Sequence, residues 1–149
     1  MDTVRALTYT TLYPNSEMPH HGIFVEQRLL RIVESNEVDA RVVAPIPWFP
    51  FRNSRFGSYA RFARVPATEE RNGLVVAHPR YLRVPKIGMT TVPRLMAAAT
   101  GDVLRREIAN GFDFDIIDAH YFFPGGVAAI SSGQVLRKPV VSTARGTDI

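Results

Sequence analysis

Three short stretches carry the side chains that could do chemistry. Thr11-Leu-Tyr-Pro-Asn-Ser-Glu-Met-Pro-His20-His21-Gly22 follows an alternating β-branched run. Asp118-Ala-His120-Tyr121-Phe-Phe-Pro-Gly-Gly126 follows a short apolar run, and Arg145-Gly146-Thr147-Asp148 follows another. A histidine at the end of a buried strand could donate to a hydroxyl or move a proton near neutral pH. An arginine could clamp a phosphate through two hydrogen bonds. Gly22 and Ile23, at the positive end of a helix, could offer backbone N–H groups to an anion. Each has a plainer reading: His120 as a loop histidine with its bonds satisfied, Gly22 as a permissive turn, Arg145 as a surface partner of Asp148. The pair His20-His21 does not make a metal site, because adjacent histidines do not share a helix face and no carboxylate or cysteine set accompanies them. No G-x-S-x-G elbow, P-loop or full G-x-G-x-x-G fingerprint occurs, so hydrolase, NTPase and dinucleotide readings lack support.

The elements around these stretches follow from periodicity. Strands are expected at Val4–Thr10, Ala40–Ile46, Leu74–His78, Asp115–Ala119 and Pro139–Ala144. A helix is expected over Ile23–Ser35, with Val25, Leu29, Ile32 and Val33 inward and Glu26, Arg28 and Arg31 on other faces. A second follows Thr90 or Thr91 as N-cap and runs to about Ala109, with Val92, Leu95, Met96, Ala99, Val103 and Ile108 inward. A third starts near Pro124 and ends before Pro139. Its small residues suit close packing on a sheet or close approach to a ligand. This order gives an α/β, Rossmann-like doubly wound parallel sheet with strand order 3-2-1-4-5. Strands 1 and 4 then meet at the switch point, where such sheets open a ligand crevice. The His20-His21-Gly22 loop would face His120 and Tyr121 there, with Arg145 and Asp148 next along the rim.

Between Ala40 and Thr68 no acidic residue occurs, while Trp48, Phe49, Phe51, Phe56, Tyr59 and Phe62 interleave with Arg52, Arg55, Arg61 and Arg64. A structureless connection this long is uncommon in a compact domain and is often functional. It reads as a membrane-surface patch, an acceptor-binding flap or a nucleic-acid contact, or else as a loop whose aromatics fold back on the core. Nucleic-acid binding is the weakest of these, since no recognised motif accompanies it.

The chain has 149 residues, 46% hydrophobic and 21% charged, with a net charge of +4. That supports one domain with a real core and some attraction to anions. There is no cysteine, which suits a reducing compartment. No apolar run approaches the roughly 20 residues of a membrane span, and the first residues lack the pattern of a signal peptide. A cytoplasmic protein, peripheral at most to the inner membrane face, is the expectation.

Tyr13-Pro-Asn with His21-Gly-Ile-Phe-Val-Glu-Gln-Arg28, Asp118-Ala-His-Tyr-Phe-Phe-Pro-Gly-Gly126 and Lys138-Pro-Val-Val-Ser-Thr-Ala-Arg-Gly-Thr-Asp148, in this order and spacing, resemble the N-terminal domain of GT-B-fold glycosyltransferases of the family-4-like group. The resemblance covers nearly the whole chain. It implies hexosyl transfer, with retention of configuration, from a nucleotide-sugar to a lipid-linked or polysaccharide acceptor, with no essential metal and no cofactor beyond the co-substrate. It also implies that His120 lies by the donor sugar, as the catalytic candidate. Gly22, with its neighbour His21, would stand near donor phosphates and acceptor, and Tyr121, Arg145, Gly146, Thr147 and Asp148 would line the cleft. Where the family often has a second histidine, this chain has Asp118. Residues 1–149 would then be a partial N-terminal domain, with the nucleotide-sugar-binding domain absent. The chain alone is expected to be inactive and prone to aggregate along an open strand edge. The partners implied are the donor and a glycan or lipid-linked acceptor, with no nucleic acid; the residues of Trp48–Arg64 themselves suggest contact with an anionic membrane. The alternative from another class is a non-catalytic Rossmann-like binding module complete at this length.

Overall fold

A computed structural model describes residues 2–83 and 89–146. The main sheet holds six strands. These are β1 (Val4–Tyr9), β2 (Val38–Val43), β4 (Thr68–Arg71), β5 (Leu74–Ala77), β7 (Ile116–His120) and β8 (Val140–Thr143), in the order β4-β5-β2-β1-β7-β8. All neighbours run parallel except β4, which pairs antiparallel with β5. The expected order 3-2-1-4-5 therefore holds as β5-β2-β1-β7-β8, with β4 added at one edge. A separate two-stranded ladder joins β3 (Ile46–Pro47) to β6 (Arg80–Tyr81).

Among the described residues there are four α-helices, α1 (Ile23–Val33), α2 (Ser58–Arg64), α3 (Val92–Ala109) and α4 (Val127–Leu136), and α1, α3 and α4 pack on the sheet. Two apolar clusters result. One gathers Leu7, Tyr9, Ile117 and Ala119 of the sheet with Met96 and Leu104 of α3 and Ala128 and Ala129 of α4. The other gathers Val25 and Leu29 of α1 with Ala40, Val42, Leu74 and Val76. Alternate residues of the parallel strands thus feed opposite layers, as a sheet buried on both faces requires.

Several expectations need correction. The segment after β3 is not structureless: it forms a short 3-10 turn, Ser54–Phe56, and then α2. Its C-terminal end is fixed by Arg80, whose guanidinium donates to the carbonyls of Phe62, Val65, Pro66 and His78. The inward face of α3 is broader than expected: Met96, with Val92, Ala99, Val103 and Ile108, packs on the core as anticipated, and Pro93, Thr100 and Leu104 are buried as well. Thr100 faces inward because its hydroxyl is satisfied there by Tyr9 Oη at 3.1 Å and the Met96 carbonyl at 3.0 Å. Glu26 of α1, expected off the inward face, is buried, held by Arg71 at 2.9 Å and Asn72 at 3.3 Å. The last helix begins later than expected, at Val127, after a wide turn over Phe122–Gly126. Its small residues serve close packing: a Cβ at Gly133 would stand 2.4 Å from Val140 Cγ2 and 2.8 Å from the Lys138 carbonyl oxygen.

Candidate active site

β1 and β7 are parallel neighbours, Ala6 opposite Ile116 through Tyr9 opposite Ala119. Their connections leave in opposite directions across the sheet, so the loops after them part and leave a crevice. A cavity of about 330 Å³ lies there. Thr11, Tyr13, Asn15 and His21 of the first loop line it, as do Pro45 and Ile46 after β2, Phe62 of α2, Tyr81 of β6, and Phe123 and Pro124 after β7. The lining is mostly apolar and aromatic with a few polar groups, the usual make-up of a small-molecule site.

The first loop is built to hold its shape. Asn15 caps its own turn, its side-chain oxygen accepting from Glu17 N at 3.0 Å and Met18 N at 2.9 Å. Gly22 ends the loop with φ of +67°, and a Cβ there would lie 2.4 Å from the Leu12 carbonyl carbon and oxygen. Only glycine meets both demands. His21 Nε2 lies 3.1 Å from the Thr11 carbonyl oxygen. A carbonyl can only accept, so Nε2 carries the proton and Nδ1 keeps its lone pair. Among the described residues Nδ1 has no hydrogen-bond partner. His21 lines the cavity with this nitrogen uncommitted, while His20 is exposed.

His120 is placed differently. It is 1% exposed and does not line the cavity. Arg145 Nη2 donates to its Nδ1 at 2.8 Å, which leaves the proton on Nε2, 3.3 Å from Asp118 Oδ2. Arg28 Nη1, from α1, donates to the same Asp118 oxygen at 3.0 Å. Burial pushes the Asp118 carboxyl up, but the hydrogen bonds and fields of His120 and Arg28 outweigh it and hold the group below the usual carboxylate range. The Arg145 guanidinium also lies over the Phe24 ring, 5.0 Å from its centre. The histidine expected at the donor sugar thus sits in an Arg28–Asp118–His120–Arg145 chain that ties α1, β7 and the loop after β8 together.

Tyr121, next in sequence, has φ of +71°. A bulky residue there costs about 1–3 kcal/mol, and such strain gathers at ligand sites and switches. Gly146 is exposed beside Arg145. Thr147 and Asp148 lie outside the described residues. The anion cradle expected at Gly22 and Ile23 is partly used internally, since Ile23 N donates to the His20 carbonyl at 3.4 Å. Among the described residues no cluster of three or more His, Asp or Glu side chains could hold a metal ion. No helix among them is long and apolar enough to cross a membrane.

Sequence reasoning passed over His78. It is buried at the end of β5, with Nδ1 3.0 Å from the Ala44 carbonyl oxygen and Nε2 3.3 Å from Glu69 Oε1. Glu69 in turn accepts from Ser16 N at 3.3 Å, so this histidine braces the edge hairpin against the first loop. The signal was available: Asn72-Gly73, both with positive φ, is a hairpin turn that makes β4 the partner of β5.

No family model matches the chain. Among solved structures, the C-terminal domain of a hydrogenase from Pyrococcus furiosus aligns over 96% of this chain and 94% of its own, with a TM-score of 0.49 and 8% identity, a likeness too slight to carry an argument. Among curated proteins, the chain is 28% identical over 150 residues, 98% of its length, to a Bacillus subtilis (strain 168) protein provisionally named the teichuronic acid biosynthesis glycosyltransferase TuaC. It spans 37% of the length of that relative. The chain is therefore a match to one part of a larger glycosyltransferase.

Proposed function

We propose that this chain forms the acceptor-side, Rossmann-like domain of a GT-B glycosyltransferase that moves a hexosyl group from a nucleotide-sugar to a glycan or lipid-linked acceptor, with retention of configuration. The observation that carries the reading is the cavity between the loops after β1 and β7, in a chain that matches part of a glycosyltransferase along nearly its whole length. The relative's stated part in teichuronic acid biosynthesis supports a glycan-building role.

In this reading the cavity takes the acceptor. Aromatic and apolar walls at Tyr13, Phe62, Tyr81 and Phe123 pack its apolar faces. His21 Nδ1 accepts from the hydroxyl that attacks the donor, which orients that oxygen. His120 reaches the transferred sugar through Nδ1, the nitrogen that Arg145 now covers, so donor binding draws the guanidinium aside, toward the donor phosphates. A second, nucleotide-binding domain supplies the rest of the donor site, and residues 1–149 alone transfer no sugar.

Octyl glucoside, a sugar on an apolar chain, is a suitable probe. Titrated into isotope-labelled protein, it is expected to shift the resonances of Tyr13, His21, Tyr81 and Phe123. Shifts confined to other surfaces, with the cavity signals unmoved, would contradict the reading.

A further inference from the structure

The basic, aromatic segment after β3 forms an exposed surface with its own architecture. Phe49 is its centre: its ring lies 6.0 Å from Phe51, 5.6 Å from Phe56 and 5.4 Å from Tyr59, and Phe51 stacks on Phe56 at 4.9 Å. These rings pack on one another, not into either main cluster. Trp48, Phe51 and Tyr59 remain 52%, 54% and 60% exposed. The Trp48 N–H donates to the Tyr81 carbonyl at 2.9 Å, which draws exposed Leu82 and Arg83 alongside.

The charges divide in two. Arg64 is committed inward, bonded to Glu17 at 3.0 Å and to the Arg52 carbonyl at 3.1 Å. The side chains of Arg52, Arg55 and Arg61 are exposed and make no ion pair among the described residues, and Arg55 lies on the Phe56 ring. The segment itself brings no carboxylate between Ala40 and Thr68, and Glu17, which reaches it from the first loop, is taken by Arg64. Projecting tryptophan and tyrosine beside unpaired arginines match the layered chemistry of a bilayer interface: amphipathic rings at headgroup depth, guanidinium groups against anionic headgroups. Phe62 of α2 adds a link, since it contacts Tyr59 on this surface, at 6.4 Å between ring centres, and also lines the cavity.

We infer that Trp48, Phe51 and Tyr59, with Arg52, Arg55 and Arg61, form a docking surface for an anionic lipid bilayer. The surface delivers the cavity mouth to the membrane plane, where an acceptor carried on a lipid would be met. The docking stands on the surface itself and needs no sugar transfer, so it is measured without donor or acceptor, and its failure would leave the proposed transferase untouched.

Trp48 is the single tryptophan of the chain, which makes the protein its own sensor. Mixed with phosphatidylcholine vesicles containing phosphatidylglycerol, the protein is expected to show a blue shift of Trp48 emission and loss of iodide quenching. Pure phosphatidylcholine should do neither, and high salt should reverse both. The triple variant Arg52→Gln, Arg55→Gln, Arg61→Gln should keep its far-UV circular dichroism and bind roughly 100-fold more weakly, at about one favourable contact per arginine. Phe51→Ser with Tyr59→Ser should weaken binding without changing its salt dependence. The inference is overturned if Trp48 is already shielded in lipid-free protein, if anionic vesicles leave its emission unchanged, or if the folded triple variant binds as wild type. It is also overturned if a single-stranded oligonucleotide shields Trp48 while vesicles do not.

Discussion

Arg145 covers His120: its guanidinium nitrogen lies 2.8 Å from the ring Nδ1, and the opposite ring nitrogen faces Asp118 at 3.3 Å. A histidine held on both sides is a structural joint, and in the proposed function it is also a polar group that Arg145 uncovers. His120→Ala separates the two contributions. Removing a buried ring that joins Asp118 to Arg145 is expected to lower stability by about 1–3 kcal/mol in urea unfolding. In the transferase proposed here, sugar transfer should fall by about 100-fold or more at a temperature where the variant remains folded. A loss of activity no larger than the loss of folded protein would make His120 a joint only.

The joint has a pH signature. The folded Asp118 carboxyl is held below its ordinary value, so the unfolded chain binds the proton first. Its contribution is complete above the unfolded pKa and is lost as pH falls through the folded value, below about pH 4. Wild-type stability should therefore decline in that window, and Asp118→Asn should be less stable at neutral pH with a flatter acid limb. Identical acid limbs in the two proteins would contradict the assignment.

Gly22→Ala is expected to be costly out of proportion to one methyl group. The new Cβ would meet Leu12 main chain at 2.4 Å in a residue with φ of +67°, and neither backbone atom can rotate away. A loss of more than about 2 kcal/mol is expected, with the first loop displaced. Amide exchange in residues 11–22 should rise first. Wild-type exchange there would show that the loop accommodates a side chain.

β8 pairs with β7 and has no second neighbour among the described strands, and Val141 on it is about half exposed. An open apolar edge invites pairing with another copy. Val141→Lys should raise the concentration at which the protein remains monomeric in light scattering, with melting temperature nearly unchanged.

How much of this was written in the sequence divides by the kind of signal. The parallel core strands announce themselves as short apolar runs, and with the handedness of crossovers they put β1 beside β7. The His21 loop was expected to face His120 and Tyr121; in the cavity it meets Phe123 and Pro124 instead, with His120 buried to one side. Thr68-Glu-Glu-Arg71 gave no such signal, because an edge strand need not be apolar on either face; only Asn72-Gly73 marked it. The apolar face of α3 was legible in its periodicity, but Thr100 reads as polar, and its burial depends on Tyr9, 91 residues away in sequence. The commitment of His120 to Arg145 and of Arg80 to four carbonyls likewise depends on groups that only the fold brings together. No periodicity encodes them. The free nitrogen of His21 could not be foreseen either, since it follows from the Thr11 carbonyl taking the other one.

Sugar transfer itself is the most direct test of the central claim. The proposed transferase, with its nucleotide-binding domain, would be incubated with radiolabelled UDP- and GDP-sugars and a total envelope lipid and glycan extract of its source cells as acceptor. Label is expected to pass from one nucleotide-sugar into an extract component with retained anomeric configuration, with a roughly tenfold loss of kcat/KM in His21→Ala, the worth of one hydrogen bond. Label that stays in nucleotide-sugar or appears only as free sugar with every donor, from folded protein, would contradict that claim.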